Sequence, residues 1–202
     1  MVNGSRTRLD PAARRAQLVA LGLDMLSKRP LDQVVIDEIA AEAGISRGLL
    51  FHYFPTKRDF HVAVVQAAAD DIYTRTEPDP ELPVRDRLRH SLEAFVDYVS
   101  DNSDAYTSLL RGAAGGDPAL RAVLDDSRTR FTVRVLSGLG LAEPPPPRLR
   151  LAARGWVAFA EETTVDWLSV GDLGRDDLID MLDEALVALI ALAARQEAEG
   201  NA

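Results

Sequence analysis

Apolar positions in this chain recur at helical spacing between proline- and glycine-rich stops, and they predict about nine helices. The first opens at Asp10-Pro11, an acidic cap with proline at the first helical position, and carries Leu18, Leu21, Gly22, Met25 and Leu26 to about Ser27. Lys28-Arg29-Pro30 breaks it, and Leu31 and Val34 continue its core. The stretch Ile36–Lys57 then organises the front of the chain. Ile39, Ala40 and Ala43 share one face of a short helix. Gly44 supplies a residue able to take positive φ at its end, and Ile45 plugs the corner. Ser46 caps a second short helix whose inward side is Leu50 and Tyr53. Small Ala40 lets the two helices cross closely. This is a helix-turn-helix pattern, in which the second helix enters the DNA major groove.

A fourth helix runs from Thr56 to about Thr76, with Thr56 and Asp59 placed as a weak capping box and Phe60, Val64, Val65 and Ala68 on its apolar side. Three prolines in Glu77–Pro83 make a loop. Further helices are expected at Pro83–Asp101, Ser103–Arg111, Asp117-Pro118 to about Gly138, Arg148 to about Val170 and about Arg175 to Glu197. The fold class is therefore all-α: a three-helix head with a helix-turn-helix, followed by a larger helical body. We divide the chain into a mobile arm at 1–9, a helix-turn-helix domain at 10–56 and a ligand-binding and dimerisation domain at 57–202.

The last two helices are apolar over more than one face. Such a helix must bury both sides, and in a chain this small one side needs a partner. Two of them per chain, doubled across a two-fold axis, make a four-helix bundle. The expected interface is Leu151, Val157, Leu168, Leu178, Leu182, Leu186 and Leu189.

Composition narrows the classes. A hydrophobic content of 47% over 202 residues suffices for a core. The absence of cysteine excludes a disulfide framework and a thiolate metal site. No signal peptide or apolar run long enough to span a bilayer is seen, so we expect a cytoplasmic protein without membrane contact. The net charge of −9 argues at first against nucleic acid, but its distribution reverses that. Residues 1–60 hold nine Lys/Arg against seven Asp/Glu, net +2; residues 61–202 hold fourteen against twenty-five, net −11. An acidic body behind a mildly basic head keeps DNA on the head. Arg6 and Arg8 in the arm are placed to reach phosphates or a minor groove.

The run Gly44-Ile-Ser-Arg-Gly-Leu-Leu-Phe-His-Tyr-Phe-Pro-Thr-Lys57 resembles the DNA-binding signature of the TetR (tetracycline-repressor) family of bacterial transcription regulators. The close-set Phe51, His52, Tyr53 and Phe54, followed by Pro55, Thr56 and Lys57, are its distinctive part, and the detailed likeness covers roughly Ala12 to Val65. The resemblance implies DNA contact by Arg47, Gly48, Leu49, Phe51, His52, Tyr53, Thr56 and Lys57. Arg47 can bond guanine bidentately or meet a phosphate. Gly48 lets the backbone come close, and Lys57 adds charge at a helix N-terminus. Three positions depart from the family pattern. Val35, Leu49 and Phe51 stand where hydroxyl residues are usual, which removes three donors from the expected DNA face. Leu49 can still touch a thymine methyl.

In the body, aromatic and apolar residues on several helices suggest a ligand cavity: Phe95, Tyr98, Tyr106, Leu110, Phe131, Trp156 and Phe159, with Glu162 or its neighbour Glu161 as a buried carboxylate. Core packing is the competing reading for each. The implied activity is a ligand-responsive homodimeric regulator, usually a repressor, that binds a palindromic operator and is released by a small apolar or amphipathic effector. No cofactor or metal is expected. His52, His61 and His90 are scattered, and neither a Glu-x-x-His pair, a phosphate loop nor a nucleophile elbow is present, so an enzyme is disfavoured. The alternative is a helical ligand- or partner-binding protein that no longer binds DNA.

Overall fold

The computed structural model describes residues 10–111, 116–140 and 144–200. The arm with Arg6 and Arg8, and residues 112–115 of the glycine run, lie outside the described residues. Among those described, the regular elements are nine α-helices and one 3₁₀ turn, and none is a strand.

The head is α1 (Pro11–Leu26), a 3₁₀ turn (Leu31–Gln33), α2 (Ile36–Glu42) and α3 (Arg47–Tyr53). Its local signals act as their chemistry dictates. The Asp10 carboxylate accepts from the N–H groups of Ala12 and Ala13 at 2.8 and 3.4 Å. Gly44 takes φ of 64°, and two reverse bonds close α2: Gly44 N–H to the Ala41 carbonyl and Ile45 N–H to the Ala40 carbonyl, each 3.0 Å. That pair is a Schellman stop, which satisfies carbonyls the helix end leaves free. Ser46 Oγ accepts from Leu49 N–H at 3.2 Å and starts α3.

From the head, α4 (Lys57–Arg75) leads into the body. Gly22 of α1 sits against it so closely that an added Cβ would lie 2.4 Å from Val64 Cγ2 and 2.8 Å from Phe60 Cζ. A side chain at position 22 would collide with them, so Val64 and Phe60 of α4 pack directly on the α1 backbone. The body follows as α5 (Val84–Asp101), α6 (Ser103–Arg111), α7 (Pro118–Gly138), α8 (Pro147–Val170) and α9 (Arg175–Gly200).

One hydrophobic cluster joins head to body. It contains Leu18, Leu26, Leu31, Val34, Ile39, Leu50, Phe54, Phe60 and Val64, and it continues into Ala105 and Leu109 of α6 and Leu120 and Val123 of α7. A second cluster, with Leu92 and Val96 of α5, Trp156 and Val157 of α8 and Leu178, Ile179, Leu182 and Leu186 of α9, holds the far end together. Along its length α4 is also fastened to α7. Arg58 meets Asp117 through two bonds of 2.6 Å, and Arg130 meets Asp70 at 2.5 Å. Arg134 donates to the Tyr73 carbonyl at 2.7 Å while its guanidinium stacks 3.4 Å from the Tyr73 ring centre.

This packing corrects the expected interface. Val157, Leu178, Leu182 and Leu186 are buried within their own chain, because α8 and α9 pack on each other and on α5. Leu168 and Leu189 are half-buried. Leu151 does face outward, at 70% exposure, and Val187 and Leu192 join it at 65% and 58%. The outward apolar stripe therefore runs along the other side of α9 from the one expected.

Candidate nucleic-acid interface and internal cavity

The candidate DNA surface is the outer side of α3 with the start of α4. Leu50 and Phe54 are buried, which anchors α3 on the head core. Helical geometry then turns Arg47, Gly48, Leu49 and His52 outward, and all four are exposed. Phe51 and Tyr53 are half-buried and pack against the head cluster. Among the described residues, and apart from its chain neighbours and the backbone of α3 itself, nothing comes closer to a Cβ built on Gly48 than Ser46 Oγ at 3.9 Å, so the backbone there is open to an approaching partner.

Arg47 is held from two sides. One of its terminal nitrogens lies 2.9 and 3.1 Å from the two carboxylate oxygens of Asp37 on α2, and its guanidinium stands 5.4 Å from the Phe51 ring centre. Spacing along the chain gives no sign of this pair, ten residues apart across the turn. At α4, Thr56 and Asp59 form a complete capping box: Asp59 N–H donates to Thr56 Oγ1 at 3.1 Å and Thr56 N–H to Asp59 Oδ2 at 3.0 Å. Lys57 follows, exposed, in the first turn. Val35 precedes α2 with no side-chain bond to its N–H groups, and Val35 and Leu49 are both partly exposed apolar residues on this head.

A cavity of about 60 Å³ lies behind the head. Its wall takes in Tyr98 of α5, Tyr106 and Leu110 of α6 and Phe131 of α7, four residues of the expected set. Phe95, Trp156, Phe159 and Glu162 do not line it. Trp156 is instead buried in the second cluster, its Nε1–H donating to the Leu182 carbonyl at 2.8 Å. Phe95 packs edge-on behind Tyr106, their ring centres 6.2 Å apart, and Phe159 is turned outward on α8. Glu161, one position before Glu162 and so about 100° around the helix, is the carboxylate on the cavity wall. The remaining wall includes Leu23 and Leu26 of α1 and its C-cap Ser27, which belong to the head itself.

Burial raises the pKa of the titrating groups on the cavity wall. Burial pushes the Glu161 carboxyl up, and Arg128, whose Nε donates to it at 2.6 Å, opposes that shift. Burial, with Glu161 adding to it, pushes the Tyr106 hydroxyl well above its usual range. Burial also lifts Tyr98 to about 12, with Asp71 adding and Arg75 opposing. Among the described residues no group of three or more His, Cys, Asp or Glu could hold a metal ion, and no helix is long and apolar enough to cross a membrane.

Comparison with known proteins agrees with this geometry. Residues 18–64 match the family model "Bacterial regulatory proteins, tetR family", and residues 84–189 match "Tetracyclin repressor-like, C-terminal domain". A crystal structure of a TetR-family transcriptional regulator from Streptomyces coelicolor superposes with a TM-score of 0.82 at 36% identity, covering 95% of this chain and 86% of that one. The transcriptional activator FasR of Mycolicibacterium smegmatis is 28% identical over 179 residues, 83% of this chain and 78% of its own. A transcriptional repressor of Streptomyces coelicolor is 24% identical over 190 residues, 87% of this chain and 94% of its own. With both halves matched, and a helix-turn-helix whose outer side is free for DNA, this chain belongs to the TetR family of DNA-binding transcription regulators.

Proposed function

We propose that the protein acts as a homodimeric repressor that leaves its operator when a small apolar or amphipathic effector enters the cavity behind the head. The observation that carries this reading is the lining of that cavity: its wall includes Leu23 and Leu26 of α1, its C-cap Ser27, and Val65, Ala69 and Ile72 of α4. Any molecule lodged there presses on the helices that carry α3. At about 60 Å³ the space is far below the ~300 Å³ of an ordinary ligand pocket. A larger effector therefore has to spread α1 and α4 from α6, and that movement separates the DNA-competent arrangement from the bound one.

The outward stripe of Leu151, Val187 and Leu192 supports pairing of two copies through α8 and α9. A two-fold dimer presents two α3 helices to a palindromic site whose halves lie about 34 Å apart. On each half, Arg47, Gly48, Leu49 and His52 face the groove, with Phe51, Tyr53, Thr56 and Lys57 completing the contact. Acting on DNA, it works in the cytoplasm.

A gel-shift on the DNA upstream of the neighbouring genes tests this. Retarded DNA at low salt, lost as salt rises, is expected. Free DNA throughout, with folded dimeric protein, overturns the DNA reading. Expression of those genes unchanged or lowered on deletion overturns the repressor reading.

A further inference from the structure

The wall of the cavity is mostly hydrocarbon, with Ser27, Tyr98, Asn102, Tyr106, Ser127 and Glu161 as its polar members. Tyr98 and Asn102 are already engaged. The Tyr98 hydroxyl donates to the Ala68 carbonyl at 3.4 Å, and the Asn102 amide donates to the Tyr98 carbonyl at 2.8 Å. Ser27 Oγ likewise donates to the Asp24 carbonyl at 2.8 Å, and Glu161, only 9% exposed with Arg128 at its side, is the charged group among the described residues of the wall. The carboxylate takes the Arg128 Nε–H at Oε2, at 2.6 Å. An ionised carboxylate has about four acceptor positions, so capacity remains for a further donor.

Charge decides what that donor can be. Glu161 is met by Arg128, and behind that pair Asp125, 3.8 Å from Arg128, is met by Arg154 at 3.4 Å, so these four charges balance. An incoming ammonium would find no net counter-charge, and an incoming carboxylate would meet that of Glu161. Either ion would lose its water without full compensation. A neutral hydroxyl or N–H is much less costly to desolvate, and it gains a hydrogen bond to a charged acceptor, about twice as strong as one between neutral groups.

Resting on the reading of this cavity as the effector site, we infer that it selects a compact uncharged amphiphile whose hydroxyl or N–H donates to Glu161. The hydrocarbon end of that molecule lies on Leu23 and Leu26 of α1 and Val65 and Ile72 of α4. A water-sized site needs roughly 10–15 Å³ by the same measure. The resting cavity of about 60 Å³ thus admits roughly five non-hydrogen atoms without opening.

The test is calorimetric titration of the full-length protein at pH 7 with three probes sharing one tail: pentan-1-ol, pentylammonium and pentanoate. Pentan-1-ol should bind at least tenfold more tightly than either ion. In Glu161→Gln the unbalanced Arg128 should shift preference to pentanoate, and in Arg128→Met the unbalanced Glu161 should shift it to pentylammonium. Should either variant fail to fold for want of its charge partner, the neutral double variant serves: both ions should stay excluded, and pentan-1-ol should bind several-fold more weakly than to the native protein for want of a charged acceptor. Preference of the native protein for either ion overturns the inference, as does an unchanged order in the single variants or undiminished pentan-1-ol binding in the double variant. Equal binding of all three probes, abolished by the cavity-filling Ala68→Leu, overturns this inference and leaves the cavity as the effector site. No binding of any probe overturns both.

Discussion

Arg58, the second residue of α4, grips both carboxylate oxygens of Asp117, the N-cap of α7, at 2.6 Å each. The pair joins the DNA end of the linking helix to the body, and Asp117 also caps α7 by accepting from Ala119 N–H at 2.8 Å. The Arg58 guanidinium, first through its hydrogen bonds, holds the Asp117 carboxyl well below the usual carboxylate range.

A depressed carboxylate pKa has a definite sign in stability. The contribution of the pair is complete above the unfolded value of about 3.9 and is lost as pH falls below it towards the lower folded value. Asp117→Asn keeps a capping side chain of similar quality but removes the charge. Its thermal midpoint should lie below that of the native protein at pH 7, and the gap should close progressively between pH 4 and the acid limit of folding. A gap of constant size down that range would refute an ionic origin.

Gly22→Ala should lower stability although alanine is the better helix former by ~1 kcal/mol. Its methyl would have to displace Val64 Cγ2 and Phe60 Cζ, at 2.4 and 2.8 Å. Overpacking of that kind costs about 1–3 kcal/mol, so a net loss of up to about 2 kcal/mol is expected in urea unfolding. Adding Val64→Ala should recover part of it, and a double-mutant cycle measures the coupling. Strictly additive losses would show that the two sites do not touch.

Asp37 and Arg47 make a separable prediction. The pair is more than half exposed on both sides, so breaking it should change stability by less than about 1 kcal/mol. On DNA the effect should be larger. Arg47→Ala should weaken operator binding by about 1–3 kcal/mol. Asp37→Asn removes a negative charge beside the groove and frees Arg47, so binding should tighten. The slope of log K against log salt should then steepen by about 0.9 if Arg47 turns to a phosphate. Weaker binding by Asp37→Asn would instead mean that Asp37 holds Arg47 in place on a base.

Two leucine-like positions on α9 should behave oppositely. Val187→Glu lies on the outward stripe and should yield a folded monomer by sedimentation, with operator binding lost. Leu182→Glu buries an unpaired carboxylate in the second cluster and should unfold the body. A folded Leu182→Glu monomer would reverse the assignment of faces.

The head was legible because its signals are local. Asp10-Pro11, Gly44, Ser46 and Thr56 each act within four residues, and each appears in the structure where its chemistry requires. The body was legible in its helices but not in their rotation. On α9, apolar residues cover both sides, so periodicity alone does not distinguish Leu182, which is buried, from Val187, which is not. The same ambiguity moved the cavity carboxylate by one residue, from Glu162 to Glu161, and counted Trp156 as lining when its ring is core. Pairs such as Asp37–Arg47 and Arg58–Asp117 depend on how helices cross, which no short window of sequence encodes.

The cluster that runs from Leu18 through Phe60 into Leu109 and Val123 has a consequence for engineering. A chimera would join the reading head of one relative to the sensing body of another. Here a cut near residue 56 would slice through shared interior, leaving Leu109 and Val123 facing an ill-matched neighbour. A working chimera must carry those positions, and the Gly22 notch with its counterpart on α4, along with the donor head.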